Sequence, residues 1–354
     1  MYNIINYYDD FDWKVGKGHM IFSINQRKLM GLLLTEGPLS RKVLAAKMKL
    51  TNAAITVMTQ SLIEEGLIVE LGEVKSGKVG RKETLIDLSS SKYVSIGIDI
   101  RINYVNISIT DIKGKLLYQK KVSSIENAIE YLQRTLAKDN YFHEIAVLCR
   151  GYKGLEMFDQ TVEKVERLMN EAQLPFRIVH NVSALAILHK FYHPTDSNFL
   201  LIKYGPGVGS AIVTNGVLLS NDLSHSSEFG HMIVDPHETK TLEELISYST
   251  VALGVEDSEV VEYLVNSRAT LDYIMAKMAF CIVNSHVLLG LDKIIMAGNI
   301  FVYDEVFQAL KEKIQKYSRF IQDEDLVRID DYDEKERKIG SIVALYLHFL
   351  DLKS

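Results

Sequence analysis

The stretch Ser40–Leu67, SRKVLAAKMKLTNAAITVMTQSLIEEGL, constrains this chain more than any other, because its spacing reads helix, turn, helix from end to end. Ser40 is placed to cap a short helix whose Leu44, Ala45 and Met48 form a small apolar face. Leu50 turns inward, and Thr51 caps a second helix running to about Glu65. On that helix Ala54, Ile55, Met58 and Leu62 are expected inward. Asn52, Ala53, Thr56, Val57 and Gln60 are expected outward, as the base-reading face of a recognition helix.

The flanks complete a known architecture. Asn25 to Glu36 reads as a helix with Leu29, Leu32 and Leu33 on one side, closed by Gly37 and Pro38. Leu67 to Leu71 and Thr84 to Leu88 alternate like two short strands around a glycine-containing basic loop, EVKSGKVGRKE, with Lys78, Arg81 and Lys82. Three helices and a basic hairpin make a winged helix, expected over residues 23–88 after a tail of residues 1–22.

Charge distribution agrees with that assignment. Between residues 23 and 86 ten Lys or Arg face six Glu, a local +4 in a chain of net charge −6, so the remainder carries about −10. The reading face is uncharged, so phosphate contacts are expected from Arg41, Lys42 and the wing, and Ser40 and Thr51 are also expected among the DNA-contacting residues. Cys149 and Cys281 lie far apart in apolar runs, which fits buried thiols in a reducing compartment. No apolar run is long enough to cross a membrane, so a cytoplasmic protein is expected.

From Tyr93 the pattern changes to three strands, YVSIGIDI, YVNISIT and KLLYQKKV, then helix, strand, helix, strand. A second lobe opens the same way, with FLLIKY, SAIVT, the Asn215-Gly216 hairpin signal and VLLS, followed by long helices, the strand KIIMA and a last helix, GSIVALYLHFL. The expected fold class is α/β: an N-terminal winged helix followed by a two-lobed, actin-like and ribonuclease-H-like domain over residues 92–354. The small lobe takes residues 92–183 plus the C-terminal helix, and the large lobe 184–338.

GPLSRKVLAAKMKLTNAAITVMTQSLIEEGLI, GKVGRKETLIDL leading into IGIDI, and EFGHMIVDP together resemble the ROK family of bacterial repressors, open reading frames and sugar kinases, in its members with an N-terminal winged helix. The resemblance implies that the family's kinases place a catalytic Asp after an Asn, where this chain has Asn181 and then Val182. Valine has no proton acceptor, so that general base is missing. Arg101 and Ile102 follow Asp99 where the kinases have small residues, and Pro206 stands where they have a Thr. The cysteine-rich zinc loop of the family is absent between EFGHMIVDP and TLEELIS, so no metal or other cofactor, and no catalytic residue, is expected.

The resemblance also assigns hexose contacts to Asn181, Glu228, His231 and Glu243. The reading that follows is a DNA-binding transcriptional regulator, most simply a repressor. It would bind a pseudopalindromic double-stranded operator as a homodimer or a dimer of dimers, with a sugar or sugar derivative as effector. Two alternatives stand beside it: an active ROK sugar kinase with an accessory DNA-binding domain, and a regulator controlled by a protein partner instead of a small molecule.

Overall fold

Local capping chemistry sets the first three helices. In the computed structural model, which describes residues 22–74, 83–101, 103–136, 142–149, 155–219, 227–234, 237, 239–256 and 258–350, α1 spans Ile24–Glu36, α2 Arg41–Met48 and α3 Asn52–Glu64. Ser23 and Gln26 form a reciprocal capping box on α1, and Gly37 closes that helix with φ +80°. Ser40 Oγ accepts the Val43 N–H (3.4 Å) and Thr51 Oγ1 the Ala54 N–H (3.2 Å), so both expected caps are made. Between them Lys49 adopts the left-handed conformation (φ 56°) that turns α2 into α3.

A small antiparallel sheet completes the winged helix. It orders β1 (Leu39–Ser40), β3 (Glu83–Leu88) and β2 (Ile68–Val74) with β3 in the middle. The strand β1 carries no local sequence signature and is made by its pairing with Leu85 and Ile86. Leu29, Leu33, Leu44, Ile55, Leu62 and Leu67 form the interior. Ala54, expected inward, is exposed, and Thr59 is buried in its stead because its hydroxyl finds partners there.

The chain divides into two compact units. The first reaches to Val179 and resumes at Arg337, and so contains the winged helix; the second is His180–Glu336. Beyond the winged helix, the first unit is built on a five-stranded sheet ordered β6-β5-β4-β7-β8. Its strands are β4 (Tyr93–Ile100), β5 (Val105–Asp111), β6 (Leu116–Val122), β7 (Phe142–Cys149) and β8 (Arg177–His180). Residues of β4, β5 and nearly all of β7 are buried, as near-continuous apolar strands covered on both faces must be. The helices α4 (Ile125–Leu136) and α5 (Leu155–Glu171) cover one face, and α13 (Ile339–Phe349) packs on β4 and β7.

That last helix comes very close to the sheet. A Cβ on Gly97 would lie 2.3 Å from the Ser341 nitrogen and 2.4 Å from the Gly340 carbonyl carbon. The far end of α13 meets α1. Phe22 packs against Tyr93, His348 and Phe349, and Arg27 donates to the His348 and Leu347 carbonyls (2.5 and 3.2 Å). Those carbonyls belong to the last turn of a helix, where C=O groups outrun the intrahelical donors, and the guanidinium serves as a cap for them. Phe22, the last residue of the expected tail, is therefore part of the core. Met30 and Gly31 are buried on α1 alongside Leu29 and Leu33, because the helix has α13 as a second neighbour.

The second unit repeats the strand order on its own residues. Its sheet is β11-β10-β9-β12-β13, made of β9 (Phe199–Tyr204), β10 (Val208–Thr214), β11 (Val217–Leu218), β12 (Lys293–Ala297) and β13 (Leu326–Arg328). Its helices are α6 (Asn181–Tyr192), α7 (Leu242–Ile246), α8 (Tyr248–Val251), α9 (Val260–Asn266), α10 (Arg268–Leu289), α11 (Asp304–Tyr317) and α12 (Tyr332–Arg337). Two five-stranded sheets, each with its first strand central and hairpin-linked to the next two, are the duplicated lobes of the actin-like fold.

Candidate nucleic-acid interface and small-molecule residues

Five residues of α3 share one exposed face. Asn52, Ala53, Thr56, Val57 and Gln60 are all exposed, and Val57 reaches 72%. Their spacing keeps them on one side of a 3.6-residue helix, so the face is a continuous stripe. Thr56 Oγ1 donates to the Asn52 carbonyl (2.8 Å), and Gln60 Nε2 donates to Glu64 Oε1 (2.9 Å) at the far end of the stripe.

The cations around this face divide by how firmly they are held. Arg41 Nε donates to Thr59 Oγ1 (2.9 Å) and its Nη2 pairs with Glu70 (2.8 Å), with the side chain largely covered. Arg41, expected to contact phosphate, thus ties α2 to α3 and β2 in the structure. Ser40 is likewise spent inside the fold: it is 4% exposed and its oxygen caps α2. Lys42 keeps a side chain 79% exposed, with Nζ 3.7 Å from Glu83, so its ammonium can reach a neighbouring phosphate. Lys49 is also exposed, in the turn that precedes α3. The sequence signal for Lys49 was its place just before the Thr51 cap. Lys78, Arg81 and Lys82 of the wing lie outside the described residues.

The four residues expected to contact sugar all belong to the second unit, three of them around the start of β10. Glu243 Oε2 accepts the Val208 N–H (2.6 Å), which holds α7 to the loop after β9. Gly230 abuts Val208 from another side, where a Cβ would be 2.3 Å from its carbonyl oxygen. Glu228 and His231 flank that glycine with Oε2 and Nδ1 3.8 Å apart, too far for a hydrogen bond, and both side chains are about half exposed or more. Asn181 opens α6, and the next residue, Val182, packs on Gly209: a Cβ there would meet Val182 Cγ2 at 2.7 Å. Val182 is 3% exposed, so an apolar contact fills the position after Asn181.

Other groups near the kinase-like motifs are committed to the fold. Asp99, 3% exposed, binds Arg101 through Nε (2.8 Å) and Nη2 (2.6 Å), so the carboxylate is neutralised by a residue two positions on. Gly298 has φ +136°, and a Cβ would lie 2.2 Å from the Tyr204 carbonyl, so close approach alone requires glycine there. Gly205 donates its N–H to the Gly207 carbonyl (3.0 Å) across Pro206. Burial pushes both thiols, Cys149 and Cys281, up to about 12, which leaves them unreactive. Among the described residues no helix is long and apolar enough to cross a membrane.

Comparison with known proteins places these features. The family model described as "ROK family" matches residues 156–340. The chain is 21% identical to the xylose repressor of Bacillus subtilis (strain 168) over 235 residues, which is 60% of this chain and 61% of the repressor. It is 23% identical to the DNA-binding transcriptional dual regulator NagC of Escherichia coli (strain K12) over 246 residues, 63% of this chain and 60% of NagC. The chain thus spans about three fifths of the length of these relatives. Among solved structures, a ROK family transcriptional regulator homologous to the Escherichia coli MLC protein superposes with a TM-score of 0.75 at 18% identity, covering 93% of this chain and 96% of that one. The ROK hexokinase of Thermus thermophilus superposes with a TM-score of 0.59 at 15% identity, over 74% of this chain and all of the hexokinase. The regulator thus superposes on a larger share of this chain than the hexokinase does. With the family model spanning more than half of its residues and both lobes folded as its members fold, the chain belongs to the ROK family.

Proposed function

We propose that this chain is a DNA-binding transcriptional regulator, acting as a repressor in the cytoplasm, whose kinase-like lobes no longer transfer phosphate. The observation that carries this reading is the exposed, uncharged stripe on α3, in the second helix of a helix-turn-helix, with Lys42 and Lys49 exposed beside it. The relatives support it, since the xylose repressor and NagC are both regulators by name. Loss of catalysis rests on Val182, a buried side chain without a proton acceptor, and on Asp99, whose carboxylate is taken by Arg101.

On this reading residues 23–88 bind DNA and residues 92–354 form the ROK domain. One winged helix covers too little DNA for operator-level affinity, so a homodimer or dimer of dimers presents two of them to a pseudopalindrome. Asn181, Glu228, His231 and Glu243 are the groups that would take a sugar hydroxyl, and the gathering of three of them around Val208 favours a retained effector site over a purely protein-controlled regulator.

Selection of duplexes from a random pool by the purified chain tests the first part. A reproducible two-fold-related motif, lost with the Val57→Glu variant, is expected; an unenriched pool would refute it. Calorimetric titration with hexoses, N-acetylated hexosamines and pentoses, repeated with Glu228→Ala, tests the second. ATP and the same sugars should yield no phosphorylated product, and product formation would revive the kinase reading.

A further inference from the structure

Resting on the DNA-binding reading, we propose that the α3 face reads A·T pairs, with Val57 acting as the specificity residue that senses the 5-methyl group of thymine. The argument begins with what the stripe lacks. Guanine is read most often by Arg or Lys reaching its O6 and N7, and cytosine by an acidic acceptor. None of Asn52, Ala53, Thr56, Val57 and Gln60 is a cation or an acid, and the nearby Arg41 is held by Glu70 and Thr59.

What the stripe does offer is suited to the other pair. Val57 is 72% exposed in the middle of the face, an unusual place for a branched apolar side chain that no described residue of its own unit covers. A protruding isopropyl group has one apolar counterpart in the major groove, the thymine methyl. The Ala53 methyl lies one turn before it, and Thr56 has spent its hydroxyl proton on the Asn52 carbonyl, so it brings an acceptor and a methyl but no free donor. Gln60 and Asn52, at the two ends, carry the carboxamide that pairs with adenine N6 and N7. The Gln60 contact with Glu64 is between exposed groups and gives way readily to such a pairing. From Asn52 to Gln60 the helix rises about 12 Å, so the face spans roughly three to four base pairs. The flanking ammonium groups of Lys42 and Lys49 supply the charge that seats the helix on the phosphates, and they carry no sequence information.

The experiment uses the full chain and duplexes enriched from a random pool. Each thymine of the half-site is replaced singly by deoxyuridine, which removes the methyl and keeps the pairing edge, and affinity is measured by fluorescence anisotropy for the wild type and for Val57→Ala. Loss of one buried methyl corresponds to about fourfold weaker binding. The expected result is an A·T-rich half-site core with one thymine whose demethylation weakens the wild type by about that factor and leaves Val57→Ala unchanged. A core of G·C pairs, or a wild type indifferent to every methyl, or a penalty equal in both proteins, would overturn the proposal while leaving DNA binding intact. A pool with no enrichment at all would overturn both this inference and the reading beneath it.

Discussion

The two lobes share a strand order but differ in the contact that brings a helix onto each sheet. In the first unit Gly97 meets Gly340 and Ser341 backbone to backbone; in the second, Gly209 meets a side chain, that of Val182. The first contact can be made in no other way, since any Cβ at Gly97 would fall on main-chain atoms. The second is a choice of residue at a place where the family's kinases, by resemblance, carry a catalytic carboxylate. One lobe keeps its glycine for architecture, and the other fills with a buried valine a position that the resemblance assigns to chemistry in the kinases.

Substitutions can break or sharpen that contrast. Gly97→Ala should have the largest effect, a loss of about 4 kcal/mol or more in urea denaturation, since neither β4 nor α13 can yield. If that variant unfolds like the wild type, the close approach is not a constraint. Val182→Asp should cost about 3 kcal/mol at neutral pH by burying a carboxylate, part of it recovered on mild acidification as the acid protonates, and should gain no phosphoryl transfer. Gly209→Ala should cost only about 1–2 kcal/mol, because the atom it meets is a movable methyl, and the added cost should shrink in the double variant with Val182→Ala. Strict additivity there would mean the two residues do not meet.

The smallest effect concerns acidity in the second unit. Burial holds His189 down to about 4 from its ordinary 6.5, although Asp196, 2.8 Å away and shared with Lys293, pulls it the other way. The unfolded chain therefore takes up a proton near pH 6.5 that the folded one refuses until about 4. Stability from this group is complete above 6.5 and falls as the pH drops through that interval, by roughly 1 kcal/mol or less between pH 7 and 6. His189→Gln should flatten this part of the stability curve as read by thermal unfolding at stepped pH.

Where folding is decided locally, the chain announced its structure. Ser40 and Thr51 cap because a hydroxyl before an apolar period has one useful backbone donor within reach, and Asn215-Gly216 turns because both residues tolerate positive φ. Those signals carried the winged helix, the hairpins and the exposed face of α3. The misses are long-range. The Glu70 partner of Arg41 is brought to it by the fold and is not legible in the spacing, and Phe22 reads as tail because α13, which seats it, comes from far along the sequence. The helix α6 is buried nearly all round, so no amphipathic period marked it as one. The sugar-contact residues were legible only through family resemblance, because nothing in their spacing tells that Glu243 reaches the Val208 amide.

The docking of α13 against α1 has a consequence for how a local disturbance spreads. The aromatic seat for Phe22 and the carbonyls that Arg27 caps are supplied by residues 347–349, and Arg27 and His348 are 321 residues apart in the chain. Loosening α13 therefore withdraws a support of α1, so damage far from the helix-turn-helix in sequence reaches its packing directly.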